Sequence, residues 1–302
     1  MIETMNRKRR TLIQIMSLGG VLVTLGAASC SQAGPEERTA GNDSKMNVES
    51  GGSSLAAVFT DDFNGPAGSG VDTSKWTFET GDNNGNNHER QYYTSGTNNA
   101  ALDGNGNLVI TARRENPAGY QCWYGTCQYT SARLNTAATF NQTYGHFETR
   151  MKIPGGQGMW PAFWMLGNNI GSAGWPGCGE VDIMENIGRE ASTVHGTIHG
   201  PGYSGAGGIG AGYTLPNGQH FYDDFHVFAI DWSPNQISWS VDGNVYQTRT
   251  PADLNGNQWV FDHPFFIIVN LAVGGDWPGD PDGSTPFPGQ LVIDYVHVTT
   301  SN

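Results

Sequence analysis

The sequence predicts an all-β protein, built as a sandwich or jelly roll of antiparallel strands. From Val58 onward, short runs of β-branched and aromatic residues alternate with clusters of turn residues. Glycine accounts for 43 of the 302 residues, and no long amphipathic helical pattern interrupts the runs. Many short strands separated by Gly, Pro and Asn turns are typical of two packed antiparallel sheets. A sandwich of this size commonly forms one undivided domain.

Residues 1–30 have the composition of an export signal. The basic stretch Arg7–Arg10 precedes the apolar stretch Leu12–Ala28, which is too short and too rich in glycine for a permanent membrane span. Small residues directly before Cys30 resemble a bacterial lipoprotein signal, in which the cysteine is lipidated after cleavage. A conventional cleavage site at residues 31–33 is the alternative. We therefore expect an exported protein, either secreted or anchored by lipid to the membrane at the bacterial cell surface.

Residues 31–56 are small, polar and charged, which predicts a disordered linker before a domain at 57–302. The formal net charge of the chain is −13. Such acidity argues against nucleic acid or another polyanion as partner, and is compatible with a neutral ligand. We expect a monomer.

Seven apolar or alternating runs predict the main strands. The nearly all-apolar run Phe265–Val273 is expected to be covered on both faces, and Asp242-Gly243 marks a hairpin. The predicted strands are Leu108–Ala112, Tyr144–Ile153, His226–Trp232, Ile237–Val241, Val245–Thr248, Phe265–Val273 and Leu291–Val298.

Three carboxylates stand within the six residues Glu180–Glu185, separated by apolar residues. Because side chains alternate along a strand, Glu180 and Asp182 point to one face, and strict alternation sends Glu185 to the other. A β-bulge near residues 183–184 would absorb one residue and return Glu185 to the face of Glu180. Two long carboxylates would then face each other with a third between them.

This arrangement suits retaining hydrolysis of a glycosidic bond, which needs an ionised nucleophile and a protonated acid about 5–5.5 Å apart. Glu180 and Glu185 supply the pair, and Asp182 can hydrogen-bond the nucleophile and help keep the two protonation states apart. The alternatives are a solvated acidic strand, which would not embed its acids among apolar residues, and a calcium site, which would need more oxygen ligands from loops. The chemistry requires no cofactor.

Tryptophans near the carboxylates indicate a carbohydrate substrate. Trp160 and Trp164 share a face if residues 159–166 form a strand, and Trp175 stands five residues before Glu180. The apolar faces of sugar rings stack on indoles, whereas the common alternative for a tryptophan is core packing. We expect at least one of the three to be a core residue.

The run His195–His199 places two histidines on one face of a strand. The helical zinc motif needs a glutamate where Gly196 stands, and two ligands are too few for a zinc site. We therefore favour a histidine that hydrogen-bonds a site carboxyl or the sugar.

The cysteines agree with an oxidising compartment. Cys122 and Cys127 are five residues apart with Gly125 between them, which predicts a local disulfide. Cys178 is then a free thiol beside the site. The alternative is that all these cysteines are reduced.

The run Glu180–Glu185 resembles the bulged Glu-x-Asp-x-x-Glu signature of glycoside hydrolase family 16, in its laminarinase-like branch. Met184 is the extra residue relative to the unbulged Glu-x-Asp-x-Glu of relatives that cleave mixed-linkage glucan. Further stretches that resemble the branch span nearly all of residues 58–300: Asn86–Thr94, Tyr129–Arg133, Trp160–Gly167, Gly174–Gly179, His195–Ser204 and Asn270–Gly279.

The resemblance implies a β-jelly roll of two antiparallel sheets, with a substrate cleft across the concave sheet. It also implies endo-hydrolysis of β-1,3-glucan of the laminarin or curdlan type with retention, with Glu180 as nucleophile, Asp182 as its assistant and Glu185 as acid/base. Members often hold one structural calcium on the convex side, for which Asp62 and Asp294 are the expected ligands. The implied sugar contacts are Trp160, Trp164, Trp175, Arg133, His199, Asn87 and Trp277.

Two other functions stay open at this point. One is hydrolysis of another β-glucan or of a galactan. The other is a non-catalytic glucan-binding module on the same fold, against which the presence of both glutamates argues.

Overall fold

The computed structural model describes residues 55–301. The predicted export signal, Cys30 and residues 31–54 of the predicted linker lie outside the described residues. Strand pairing begins at Leu55, two residues before the predicted start of the domain. No helix among the described residues is long and apolar enough to cross a bilayer.

Residues 55–301 form nineteen strands, most of them short and closely spaced. In chain order they are β1 (Leu55–Asp61), β2 (Thr77–Glu79), β3 (Gln91–Tyr93), β4 (Ala100–Leu102), β5 (Leu108–Arg114), β6 (Gln121–Cys122), β7 (Gly125–Thr126), β8 (Tyr129–Ser131), β9 (Arg133–Asn135), β10 (Gly145–Lys152), β11 (Met159–Gly167), β12 (Glu180–Glu185), β13 (Thr193–His199), β14 (Ile209–Thr214), β15 (His226–Ser233), β16 (Gln236–Val241), β17 (Asn244–Arg249), β18 (Phe265–Val273) and β19 (Gly289–Ser301). The helical segments of the same region are one short α-helix, α1 (Ile170–Ala173), and the 3₁₀ segments Asn83–His88, Gly205–Gly207, Pro216–Gly218 and Pro251–Leu254.

The strands build two large sheets. The ten-stranded sheet has the order β17-β16-β15-β10-β19-β5-β8-β3, with β1 paired to β19 and β4 to β5. The seven-stranded sheet has the order β14-β13-β12-β11-β18-β9-β2, and β6 and β7 form a separate ladder. All pairs of strands are antiparallel except β3 with β8, which run parallel. The predicted all-antiparallel arrangement therefore has one exception, at the edge of the ten-stranded sheet.

The core lies between the two sheets. Alternate side chains of β11, among them Phe163 and Met165, point inward and join Phe147 and Trp239 of the opposite sheet in one cluster. Every residue of β18 is buried, as its apolar sequence predicts. The inner face of the seven-stranded sheet packs on the core. Because side chains alternate along a strand, the other side chains of β11 and β12 lie on the outer face of this sheet.

The seven predicted strands are all present, with ends that differ by at most three residues from the predicted ones. The hairpin between β16 and β17 turns at Asp242 and Gly243, whose φ values are 50° and 76°. Two consecutive positive φ angles are the requirement of a type I′ turn, which explains the Asp-Gly sequence.

Candidate active site

The predicted β-bulge is present in β12, where the strand lies beside β11. Asp182 pairs with Trp164 and Met184 pairs with Phe163, so Ile183 has no partner of its own. One residue is thus inserted on the β12 side of the ladder, which is the definition of a bulge.

The bulge places both glutamates on one face of the sheet. On the other side of β12, Glu180 pairs with His199 and Glu185 pairs with His195. The two histidines are four residues apart in a regular strand, so they share a face. Their partners share it too, although Glu180 and Glu185 are five residues apart. Glu185 is therefore not turned into the core.

The residues between the glutamates fix the strand in the core. Val181, Ile183 and Met184 are buried against the inner cluster. Asp182 lies on the outer side with the glutamates and is only 2% exposed. The acidic strand is therefore packed on both faces and is not a solvated edge.

Each glutamate accepts a hydrogen bond from a tryptophan. The indole Nε1 of Trp175 donates to Glu180 Oε2 at 2.6 Å, and that of Trp160 donates to Glu185 Oε1 at 3.0 Å. These contacts hold the two carboxyls at fixed positions on the outer face.

The prediction that one of these tryptophans lies in the core is wrong. Trp160 and Trp164 are partly buried on the outer face of β11, and Trp175 is 49% exposed. The inward positions of β11 are taken by smaller side chains, and the buried tryptophans of the described chain are Trp76, Trp232 and Trp239.

His199 lies close to two of the three carboxylates, Asp182 and Glu180. Its Nε2 lies 3.1 Å from Asp182 Oδ2 and 3.9 Å from Glu180 Oε1. The three side chains bring ligand atoms within 4.8 Å of one another, so they could also hold a metal ion. The same arrangement places the His199 imidazole where it can stabilise a negative charge on Glu180.

Burial is the main cause of a raised pKa at all three carboxyls. It raises the pKa of Glu180 to about 8, with the charge of Asp182 as the next cause, and that of Asp182 to about 7. The pKa of Glu185 is raised well above its ordinary value of 4.5, by burial first and then by repulsion from Asp182 and Glu180. His199 and the Trp175 indole act in the opposite direction on the pKa of Glu180. The group therefore keeps at least one proton at neutral pH.

A row of cross-strand neighbours, polar except for Ala162, continues from Glu185 across the seven-stranded sheet. Glu185 pairs with Ala162, Ala162 with Asn270, Asn270 with Arg133, and Arg133 with Glu79. Direct cross-strand neighbours lie on the same face, so the row extends the outer surface beyond the carboxylates.

Trp164 lies beside this row and is fixed by two contacts to it. Its Nε1 donates to Asn270 Oδ1 at 2.8 Å, and the Arg133 guanidinium lies 4.7 Å from the centre of its ring. Arg133 Nε is itself 3.0 Å from Glu79 Oε2. Asn270 was not predicted, although it is the one polar residue within the apolar sequence of β18 and could have been recognised by that signal.

Asn87 is held by a buried carboxylate, Glu89, that sequence reasoning did not single out. Glu89 is 5% exposed and accepts hydrogen bonds from Asn83 at 2.8 Å, Gln91 at 2.6 Å and Tyr93 at 3.2 Å. Asn87 Nδ2 is a more distant donor at 3.4 Å. Glu89 thus ties the 3₁₀ segment that carries Asn87 to the strands beside it.

Trp277 lies near the Glu185 end of the site. Its ring centre is 5.6 Å from that of Trp160 and 5.2 Å from that of His195, edge to face in both cases. His195 Nε2 lies 3.0 Å from Glu190 Oε2. The predicted contacts Trp160 and Trp277 are therefore neighbours, and His195 lies beside them although it was not among the predicted sugar contacts.

Comparison with known proteins identifies the family of this chain. Residues 87–297 match the family described as glycosyl hydrolases family 16, which is well over half of the chain. The chain belongs to glycosyl hydrolase family 16. A β-glucanase of Rhodothermus marinus is 42% identical over 240 residues, which cover 75% of this chain and 79% of that protein.

Solved structures of similar proteins show the same fold. The laminarinase catalytic domain of Thermotoga maritima has a TM-score of 0.76 and 47% identity, covering 82% of this chain and 99% of that chain. The endo-β-1,3-glucanase of Pyrococcus furiosus has a TM-score of 0.76 and 48% identity, covering 82% and 96%. This family 16 chain is therefore a glycoside hydrolase with a jelly-roll fold.

Asp62 and Asp294, the expected calcium ligands, each contact a nitrogen atom of another side chain. Asp62 Oδ1 lies 2.7 Å from His297 Nε2, and Asp294 Oδ2 accepts a hydrogen bond from Arg150 at 2.6 Å. Among the described residues, neither belongs to a group of three acidic, histidine or cysteine side chains close enough to share a metal. The calcium site stays a prediction, and the reaction proposed below uses no metal ion.

Cys122 and Cys127 form a disulfide, with their Cα atoms 5.1 Å apart, as their spacing predicts. Cys178 is a free thiol and is fully buried. It packs in a small apolar cluster on the outer side of the seven-stranded sheet, together with Leu166 and Ile268. The thiol is therefore a packing residue and is not open to solvent.

Proposed function

We propose that this family 16 hydrolase cleaves β-1,3-glucan at internal bonds with retention of anomeric configuration. The observation that carries the proposal is the bulge in β12, which brings Glu180 and Glu185 to one face and leaves Asp182 between them. The R. marinus β-glucanase and the T. maritima and P. furiosus enzymes act on glucans by their names, and this supports the same substrate class here.

Glu180 is the nucleophile in this proposal. Its carboxylate attacks the anomeric carbon, while the bond from that carbon to the glycosidic oxygen breaks and a covalent glycosyl-enzyme forms. Burial raises the pKa of Glu180 to about 8, and two contacts act in the opposite direction and favour its negative charge: the proximity of His199 and the hydrogen bond from Trp175. Asp182 lies between this carboxylate and Glu185, where it separates the protonation states of the two.

Glu185 is the acid and then the base. It gives its proton to the glycosidic oxygen as the leaving chain departs, and it takes a proton from the water that attacks the covalent intermediate. The attack breaks the bond to Glu180 and returns both residues to their first state. The raised pKa of Glu185 supports this role, because burial lets the carboxyl keep its proton to a higher pH than an ordinary glutamate does.

Internal cleavage is supported by the extent of the polar and aromatic surface. Side chains that can contact sugars lie on β2, β9, β11, β12 and β13, so a glucan chain can cross several strands of the sheet. Aromatic rings such as Trp175 offer surfaces for sugar rings, and the charged side chains offer hydrogen-bond partners for hydroxyls.

The decisive experiment is hydrolysis of laminarin, curdlan, mixed-linkage glucan and agarose by the full chain, with products separated by length. We expect reducing ends from laminarin and curdlan, early products of mixed length, and a β-anomer detected first by proton NMR. Activity on agarose without activity on laminarin would overturn the proposal in favour of a galactanase. Binding of laminarin without turnover would favour a binding module.

We also propose that the chain is exported, on the basis of the signal-like residues 1–30. Mass spectrometry of the mature protein from a bacterial host distinguishes the two routes. A lipidated N-terminal Cys30 indicates anchoring, and an unmodified N-terminus after residue 33 indicates secretion.

A further inference from the structure

A cavity of about 480 Å³ opens beside the carboxylate site, and none of the predicted sugar contacts lines it. Cavities of this size accommodate small-molecule ligands. The lining residues are His88, Arg90, Trp123, Gly275, Asp276 and Asp280. We call it the Trp123 cavity. It combines one large aromatic ring with several hydrogen-bonding side chains.

Trp123 is exposed but fixed in place. Its indole remains 43% exposed, while its Nε1 donates to the backbone oxygen of Glu89 at 2.7 Å and its backbone N–H donates to Asp82 at 2.6 Å. The disulfide of Cys122, the preceding residue, closes the loop that carries it. An exposed tryptophan with a fixed ring loses little freedom on binding, which favours a role as a stacking surface.

The charged residues of the cavity are paired among themselves. His88 Nδ1 lies 2.9 Å from both carboxylate oxygens of Asp276, and Arg90 Nε donates to Asp280 at 2.8 Å. Asp276 and Asp280 still have side chains that are 70% and 51% exposed. The exposed carboxylate oxygens can accept further hydrogen bonds, which suits the hydroxyl groups of a neutral sugar.

The Trp123 cavity is adjacent to the carboxylate site, with Gly275 between them. A Cβ atom at this position would lie 2.8 Å from the backbone oxygen of Asn87 and 3.6 Å from the ring of Trp160. Trp160 is the residue that donates to Glu185. Gly275 thus separates the Trp123 cavity from the site by the thickness of a backbone, and a chain that leaves the site past Trp160 reaches the cavity.

We propose that the Trp123 cavity is an outer subsite for one sugar residue of the glucan chain, with Trp123 as the stacking surface and Asp276 as a hydroxyl acceptor. The inference rests on the proposed function, because it names where that substrate extends beyond the cleaved bond. It assigns a role to Trp123 and to the disulfide loop that the carboxylate site does not need.

The test compares Trp123→Ala with Trp123→Phe on β-1,3-glucan oligosaccharides of two lengths, a trisaccharide and a heptasaccharide, and on polymeric laminarin. Trp123→Ala removes the ring and should lower kcat/KM on the two longer substrates about tenfold, the effect of one lost stacking contact of roughly 1.4 kcal/mol, through KM. It should leave the trisaccharide unchanged. Trp123→Phe keeps a ring but loses the bond to Glu89, and should stay within about twofold of the wild type on all substrates.

A purely structural role for Trp123 predicts a different pattern. Displacement of the Asn87 segment would lower kcat/KM equally on short and long substrates, and that result would overturn the inference. Asp276→Ala is a second variant, and it does not alter the tryptophan. It should also lower kcat/KM on the heptasaccharide and on laminarin while leaving the trisaccharide unchanged. The matched control is Tyr222→Ala, which removes an exposed aromatic side chain outside the Trp123 cavity and the carboxylate site. It should leave kcat/KM unchanged on both short and long substrates. Wild-type protein that hydrolyses none of these substrates would refute the proposed function instead.

Discussion

The indole N–H of Trp239 donates a hydrogen bond to the backbone oxygen of Asp182 across the core, at 2.8 Å. Trp239 is fully buried and belongs to β16 of the ten-stranded sheet, whereas Asp182 stands where the bulge of β12 begins. One sheet therefore holds the irregular segment of the other. A second donor from the same sheet, Gln247, bonds the backbone oxygen of Gly196 at 2.8 Å, on the strand opposite the bulge.

Trp239→Phe should lower kcat with little change in KM. The variant removes the donor and leaves a buried carbonyl oxygen without this partner, which costs about 1–3 kcal/mol of the free energy of unfolding. Because the bulge sets the position of Glu185 relative to Glu180, we expect kcat on laminarin to fall about tenfold as the reacting geometry loosens. Steady-state kinetics and urea unfolding measure the two effects.

The control for this change is Trp232→Phe. Trp232 is also buried and donates its indole N–H to a backbone oxygen, that of Phe261, at 3.2 Å. This bond does not involve β12, so the variant should lose stability and keep its kcat. Equal losses of kcat in the two variants would show that Trp239 has no specific effect on the bulge.

Glu180→Gln should abolish hydrolysis and preserve binding of laminarin. The amide keeps the volume of the side chain but cannot form the glycosyl ester. Calorimetry of the variant with an oligosaccharide should give a Kd close to the KM of the wild type. Hydrolysis at the normal rate would rule out Glu180 as the nucleophile.

Glu185→Gln should lose activity selectively. Removal of the proton donor is expected to lower kcat on laminarin about a thousandfold, since general acid catalysis contributes 10²–10⁴. Aryl glycosides with acidic leaving groups need little protonation and should lose far less. The same loss on both kinds of substrate would contradict the role of Glu185 as acid.

The seven main strands, the bulge and the disulfide were within reach of the sequence, because each depends on local chemistry. Alternation predicts the faces of β12, and the surplus residue predicts the bulge. The bond from Trp239 to Asp182 was not predictable, because it joins residues 57 positions apart on different sheets. The buried network of Glu89 and the Trp123 cavity likewise depend on loops whose conformation no periodic pattern specifies.

Glu185→Gln should also stabilise the protein at neutral pH. The folded state raises the pKa of Glu185 well above 4.5, so the unfolded chain releases this proton at a lower pH than the folded one does. The free energy of unfolding therefore falls as pH rises above about 4.5, by up to about 1.4 kcal/mol per pH unit, and an amide removes this dependence. The variant should melt several degrees above the wild type near pH 7 and equally near pH 4. An equal gain at both pH values would mean that ionisation is not the cause.

Glu89→Gln should raise KM with a smaller effect on kcat. The Glu89 carboxylate accepts hydrogen bonds from Asn83, Gln91 and Tyr93. In the variant an amide NH₂ group replaces one of the accepting oxygens and faces donors, so part of the network loses its hydrogen bonds. We expect a loss of about 1–3 kcal/mol in the free energy of unfolding and a KM for laminarin raised several-fold, because Asn87 loses its support. Glu115→Gln is the matched control, since Glu115 is exposed and lies outside this network. A fall in kcat with unchanged KM would instead place Glu89 among the groups that position the catalytic carboxyls.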